Sequence, residues 1–135
     1  MSEIFSVPMR VYYEDTDAGG VVYHANYLRY MERCRSEWLA HYGWPIDRVE
    51  RECGMVFVVT QLEARFKAPA RLMDTLIVTT QFAEVRRVQF TSRQTVSRGT
   101  EQLFEATVTL ACLDKQSFRP MAIPQSLQPL FKITI

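Results

Sequence analysis

Between Asp15 and Tyr27 the chain reads DTDAGGVVYHANY, which sets two carboxylates, a Gly-Gly pair, a histidine and an Asn-Tyr helix start side by side. That set can do hydrolytic chemistry. A carboxylate beside the free N–H groups of a helix N-terminus can attack a carbonyl or activate water, while the amides hold the oxyanion that develops. Asp17 with Gly19-Gly20 forms a tight turn, and the amides after it point at whatever lies beside Asp17. By spacing alone Asp17 serves equally well as an Asx-turn residue that stabilises the glycine pair. Asp15 reads as turn or N-terminal charge support rather than as a reacting group. His24 alone reads as a satisfied, partly buried histidine, and beside a carboxylate as a proton-handling one. His41, close to the end of the same helix, suits the helix dipole and needs no other role.

Other machineries are absent from the sequence: no GxSxG, no P-loop, no GxGxxG and no HExxH. A calcium loop counted from Asp15 has Gly20 at its sixth position, but Asn26 stands where the bidentate glutamate belongs. Cys34, Cys53 and Cys112 are widely spaced and form no CxxC, so neither a disulfide framework nor a zinc site is expected. No metal and no redox cofactor is expected.

The elements that must hold this segment follow from periodicity. Val7 to Asp15 predicts a first strand. Asn26 predicts an N-cap for a helix over Tyr27–Tyr42, with Tyr27, Tyr30, Met31, Cys34, Trp38 and Tyr42 as its apolar stripe. Gly43 stops it, and Pro45 opens a short second helical piece ending near Cys53-Gly54. Four strands follow. Met55 to Lys67 carries Val56, Val58, Leu62, Ala64 and Phe66 on one face, and Asp74 to Val85 turns Leu76, Val78 and Phe82 inward. A hairpin at Arg86-Arg87 leads to a strand marked by Val88, Phe90 and Val96, and after Gly99 the residues Phe104 to Cys112 alternate in the last. The prolines beyond leave room for a short terminal helix. One amphipathic helix and several long antiparallel strands make an α+β unit in which a curved sheet wraps the helix. Such a unit leaves sheet surface and an edge uncovered, which favours dimers.

Composition agrees. The length of 135 residues suits one domain, 1–135, and 47% hydrophobic with 23% charged residues is ordinary for a globular protein. A net charge of +1 gives no reason to expect nucleic acid. No membrane-spanning apolar run and no secretion signal is visible, so a cytoplasmic protein is expected. Arginine outnumbers lysine, and arginine suits bidentate phosphate recognition, although solvated side chains are the default reading.

The run DTDAGGVVYHANYLRYMERCRSEWL resembles the signature of the 4-hydroxybenzoyl-CoA thioesterase family of hotdog-fold enzymes, and within it the Tol–Pal system-associated acyl-CoA thioesterase (YbgC) group. The likeness continues through MVFVVTQLEARFKAPARLMDTLIV and FRPMAIP. The resemblance implies a hotdog fold: a five-stranded curved antiparallel sheet around one long central helix. It implies hydrolysis of an acyl-CoA, or acyl-carrier-protein, thioester to a free acid. It places Asp17 as the catalytic carboxylate, Val22, Tyr23 and His24 as donors of oxyanion-holding amides, and His24 as a second catalytic group. Asn26 and Tyr27 match a structural helix-opening pair. Aryl-specific relatives carry an aromatic residue where His24 stands, so an aliphatic acyl group is implied here. Arg86, Arg87 and Arg119 are candidates for the coenzyme A phosphates. A homodimer or homotetramer with sites at the interface is implied. The alternative is a non-catalytic acyl-thioester-binding or scaffolding module of the cell envelope. On mechanism the residues themselves agree: a thioester carbonyl is electrophilic and thiolate leaves well, so one carboxylate and one oxyanion donor suffice.

Overall fold

Burial of one helical stripe organises the molecule. Tyr27, Tyr30, Met31, Cys34 and Trp38 are all buried, while Arg29, Glu32 and Arg33 on the opposite face are exposed. The computed structural model describes residues 3–133. The stripe belongs to α1 (Asn26–His41), which lies across a five-stranded antiparallel sheet of order β1-β3-β4-β5-β2. The strands are β1 (Phe5–Arg10), β2 (Met55–Phe66), β3 (Thr75–Ala83), β4 (Gln89–Arg98) and β5 (Glu101–Asp114). Leu76, Val78 and Phe82, then Phe90 and Val96, then Phe104 to Cys112 in alternation, turn inward as the two-residue period predicts. Gly43 (φ +85°) and Gly54 (φ +63°) take the left-handed conformation that ends α1 and α2 (Ile46–Cys53). A short α3 (Gln128–Ile133) closes the chain.

Three local expectations are corrected. The first strand stops at Arg10, because Asp15 accepts a hydrogen bond from the Tyr12 N–H (2.8 Å) and closes a 3-10 turn at Tyr13–Asp15. Asn26 lies inside α1 rather than capping it, and its side chain bonds Asp15 instead. In β2, Val59 pairs with Leu110 and Gln61 with Thr109, so Thr60 is an extra residue in a bulge. The bulge switches parity. Phe57 packs on Phe90 and Val59 lines a cavity under α1, whereas beyond the bulge Phe66 packs on Tyr27 and Phe104. Val56 and Val58 therefore face away from Leu62, Ala64 and Phe66, the residues with which simple alternation grouped them.

The two edges of the sheet are β1 and β2. On β2, which pairs only with β5, Val59, Leu62 and Phe66 remain 47%, 37% and 52% exposed. That is an apolar strand edge of the kind that natural proteins cover. The core also holds Gln94, fully buried on β4. Its Nε2 donates to the carbonyls of Met31 (3.0 Å) and Thr79 (3.3 Å), and its Oε1 accepts from Arg35 (2.8 Å).

Candidate active site

The segment 15–27 is held from three sides. Asp15, 5% exposed, is its hub. Its carboxylate accepts from the Tyr12 N–H and from Asn26 Nδ2 (3.0 Å), and its carbonyl accepts from the Tyr23 N–H (2.9 Å). A buried carboxylate needs such donors. Burial first, and the Asp15 charge second, push the pKa of the neighbouring Tyr30 phenol up, so it stays protonated. From below, Val22 N–H donates to Ala70 O (2.9 Å), and the Tyr27 hydroxyl accepts from Ala70 N–H (3.0 Å). The adjoining Arg71 bridges to Val21, and its N–H donates to Asp74 Oδ2 (2.8 Å), which Arg98 also engages at 2.7 Å. Burial works against ionisation of Asp74, but those two donors hold its carboxyl below the usual value.

On this support residues 16–22 fold into a small hairpin with Asp17 on it. Thr16 pairs with Val22, Asp17 N–H donates to Val21 O (2.9 Å), and Gly20 N–H donates to Asp17 O (3.0 Å). Both glycines have a physical reason. Gly20 sits at φ +81°, and a Cβ on Gly19 would come within 3.1 Å of Asp17 Oδ1. That same Oδ1 accepts from Gly19 N–H at 2.8 Å, which orients an otherwise exposed carboxylate and leaves Oδ2 open. The Asx-turn role of Asp17 is thus real, and it aims the group rather than consuming it.

The three candidate amides separate. Those of Val22 and Tyr23 are donated to Ala70 and Asp15, so neither is available to an oxyanion. The expectation is corrected to the third: among the described residues the His24 N–H meets no acceptor, and Ala25 at the N-cap places no side chain over the helix end. The His24 ring is exposed, 4.6 Å from the Tyr23 ring and 6.4 Å from that of Phe66. With Val22, Tyr27, Phe66 and Lys67 it lines an open groove of about 320 Å³. No hydrogen bond joins His24 to Asp17 among the described residues.

Arg86, Arg87 and Arg119 lie elsewhere. The loop end of the sheet is marked by Leu103, whose carbonyl takes the Lys67 N–H. The arginine end is marked by Cys112, whose amide bonds Val88 O, with Arg87 O and Arg119 O bonded to Ile123 and Asp114 beside it. At about 3.3 Å per residue the two ends of β5 are on the order of 30 Å apart. One chain does not bring its carboxylate and these arginines together. The arginine end also holds a cavity of about 220 Å³, walled by Trp38, Leu39, Phe57, Val59, Phe82 and Phe90, with Arg35 on its α1 side. Sequence reasoning missed Phe66 as a wall beside His24, and missed the Arg35–Gln94 pair. The inward period through Phe90, Val96 and the polar Gln94 between them was the available signal.

Comparison with known proteins places this architecture. A family model for the thioesterase-like superfamily matches residues 11–131. The acyl-CoA thioesterase YbgC of Haemophilus influenzae is 42% identical over 127 residues, which cover 94% of this chain and 93% of that protein. A probable thioesterase from Bartonella henselae superposes with a TM-score of 0.85 at 31% identity, covering 90% of this chain and all of that one (100%). A 4-hydroxybenzoyl-CoA thioesterase mutant solved with 4-hydroxybenzoyl-CoA shares the fold, with a TM-score of 0.85 at 24% identity over 95% of this chain and 98% of that one. No helix among the described residues is long and apolar enough to cross a membrane. The curved five-stranded sheet over α1 is a hotdog fold, and the chain belongs to the thioesterase-like superfamily.

Proposed function

We propose that the protein hydrolyses acyl-CoA thioesters to a free acid and coenzyme A, with residues 1–135 acting as one hotdog thioesterase domain. The observation that carries this is the presence, within eight residues, of an oriented, half-open carboxylate on the Asp17 hairpin and an unengaged amide at His24, in the turn that leads from that hairpin into α1. The thioester carbonyl lies against the His24 N–H, and Asp17 either attacks it or activates water for the attack. The thiolate leaves, and the His24 imidazole stands within the groove where it can protonate it. The full-length likeness to a curated acyl-CoA thioesterase supports the same reaction.

The site is completed by a second copy. The apolar edge of β2 pairs antiparallel with the same edge of another chain, about a two-fold axis near the bulge. That operation lays the loop end of one chain beside the arginine end of its partner. His24 and Phe66 of one copy then adjoin the cavity walled by Phe57 and Val59 of the other. The acyl chain enters that cavity, and coenzyme A phosphates reach Arg86 and Arg87 of the same second copy. His24, at the position where the resemblance puts an aromatic residue in aryl-specific relatives, supports an aliphatic acyl group. Unpaired Cys34, Cys53 and Cys112 accord with a cytoplasmic enzyme, where thiols stay reduced. The resemblance of residues 15–39 alone supports a place beside the Tol–Pal system.

Thiol release measured across acyl-CoA and acyl-carrier-protein thioesters of graded length tests the reaction. Turnover of an aliphatic acyl-CoA is expected. No turnover of any of them, with an intact thioester held at the interface, would instead make the protein an acyl-binding or scaffolding module.

A further inference from the structure

The cavity at the arginine end is apolar except on one wall. There α1 presents Arg35, with Glu32 one turn before it and Ser36 next to it, opposite Phe57, Phe82, Phe90 and Leu110. Arg35 is only partly exposed, and its guanidinium carries five N–H donors in a fixed fork. One of them is used, from Nη1 to Gln94 Oε1 at 2.8 Å. Among the described residues Arg35 makes no ion pair within 4.0 Å. Glu32 lines the same wall but lies outside ion-pair distance, and its carboxylate accepts from Ser36 Oγ at 3.3 Å.

No Arg35 nitrogen is buried without a partner, so its remaining donors are open to water, and an apolar ligand that displaced that water would leave them unsatisfied unless it brought an acceptor. Burial lowers the pKa of the guanidinium, and the nearby Glu32 charge works the other way. Gln94 makes the arrangement rigid. It is wholly buried, its amide N–H groups are spent on Met31 O and Thr79 O, and its one oxygen is turned to Arg35. The fork is therefore held in place from the sheet side and open on the cavity side. A plain alkyl chain would fill the aromatic wall and leave the fork unsatisfied. A chain with an oxygen on it would do both.

We propose that Arg35 is a specificity-determining residue that binds an oxygen acceptor carried on the acyl chain, so that the preferred substrates are short acyl thioesters bearing a hydroxyl, oxo or carboxylate oxygen. This rests on the proposed thioesterase reading, with the cavity as the acyl site. The cavity volume of about 220 Å³ sets the length. At ~30 Å³ for each water-sized group it holds about seven, which suits an acyl chain of about six carbons with its substituent.

The test is kcat/KM for hexanoyl-, 3-hydroxyhexanoyl- and adipoyl-CoA, on the wild-type protein and on Arg35→Met and Arg35→Lys. At least one oxygenated substrate is expected to exceed hexanoyl-CoA by about tenfold, the scale of a charge-assisted hydrogen bond. Which one does so separates a neutral oxygen from a carboxylate. In Arg35→Met that ratio should fall to near one, and Arg35→Lys, which keeps the charge but loses the fork, should retain only part of it. A wild-type protein that turns over hexanoyl-CoA as well as both oxygenated esters overturns the proposal and leaves the thioesterase reading standing. So does a preference that survives Arg35→Met. If that variant fails to fold, the wild-type ratios and Arg35→Lys still decide. Turnover of none of the three, nor of longer or shorter acyl-CoA, would instead remove the reading on which the proposal rests.

Discussion

The two ends of this sheet are built on opposite plans. At the loop end, polar atoms are crowded and mostly paired: Asp15 takes up Tyr12, Tyr23 and Asn26, Ala70 takes up Val22 and Tyr27, and Asp74 takes up Arg71 and Arg98. Among the groups left open there are one oxygen of Asp17 and the amide of His24. At the far end aromatic rings surround a cavity, and Arg35 on its wall has one side-chain hydrogen bond among the described residues, to Gln94. A densely bonded frame fixes where a reaction happens, because each group has one position. An apolar chamber with spare donors fixes what can enter. The lesson is that one chain holds these two ends apart by the length of its own strands, and the proposed function needs a two-fold partner to bring them together.

The sharpest way to break this comparison is at the loop end. Asp17→Asn keeps the Asx turn and the volume but removes the proposed nucleophile or base, so turnover should fall by on the order of a hundredfold or more with the melting temperature unchanged. Near-full activity in that variant would refute the mechanism.

The next test joins the ends. Leu39→Trp should fill the cavity and, like Asp17→Asn, give an inactive protein. Co-expressed, the two should regain about a quarter of wild-type activity. Random pairing makes half the dimers mixed, and each mixed dimer has one intact site. No recovery, in mixed dimers verified by mass spectrometry, would show that the two ends do not serve one site.

A smaller effect belongs to the far-end arginines. Arg86→Ala with Arg87→Ala should raise KM for acyl-CoA about tenfold while changing kcat little, since phosphate contacts are made equally in ground and transition states. Steady-state kinetics that leave KM unmoved would take these two residues out of the coenzyme A site.

The smallest effect sharpens the account of the frame. Asp74 is held below its ordinary value of 3.8, so the stability it gives is present above that pH and is lost as pH falls through its lower folded value. Urea midpoints should drop between pH 6 and pH 3. In Arg98→Met, which removes one of the two donors, part of that drop should disappear. An unchanged pH dependence would mean that the Asp74 clamp does not support the loop as described.

Much of this was legible in the sequence because it depends on local pattern. The α1 stripe, the inward sets of β3 and β5, the stops at Gly43 and Gly54 and the Asp17–Gly20 turn follow from periodicity, from positive φ and from Asx chemistry. The parity change at Thr60 was not legible, because a bulge is set by what the partner strand can pair with, not by the bulged strand's own alternation. Nor was the side-chain role of Asn26. Its type suits a cap, and it was drawn off by a buried carboxylate eleven residues earlier, to which its Nδ2 donates.

The sequence by itself determined that a carboxylate, a glycine turn and a helix start stand together, because those residues are neighbours along the chain and their geometry is local. Which amide stays open was decided only by the tertiary structure. Val22 and Tyr23 lose theirs to carbonyls of Ala70 and Asp15, and a backbone donor is spent by whatever acceptor the fold brings within 3 Å of it. The tertiary structure likewise put Arg86, Arg87 and the Arg35 cavity a strand's length from Asp17. Distance across a sheet depends on strand order and register, and those are settled by burial of the whole apolar surface at once.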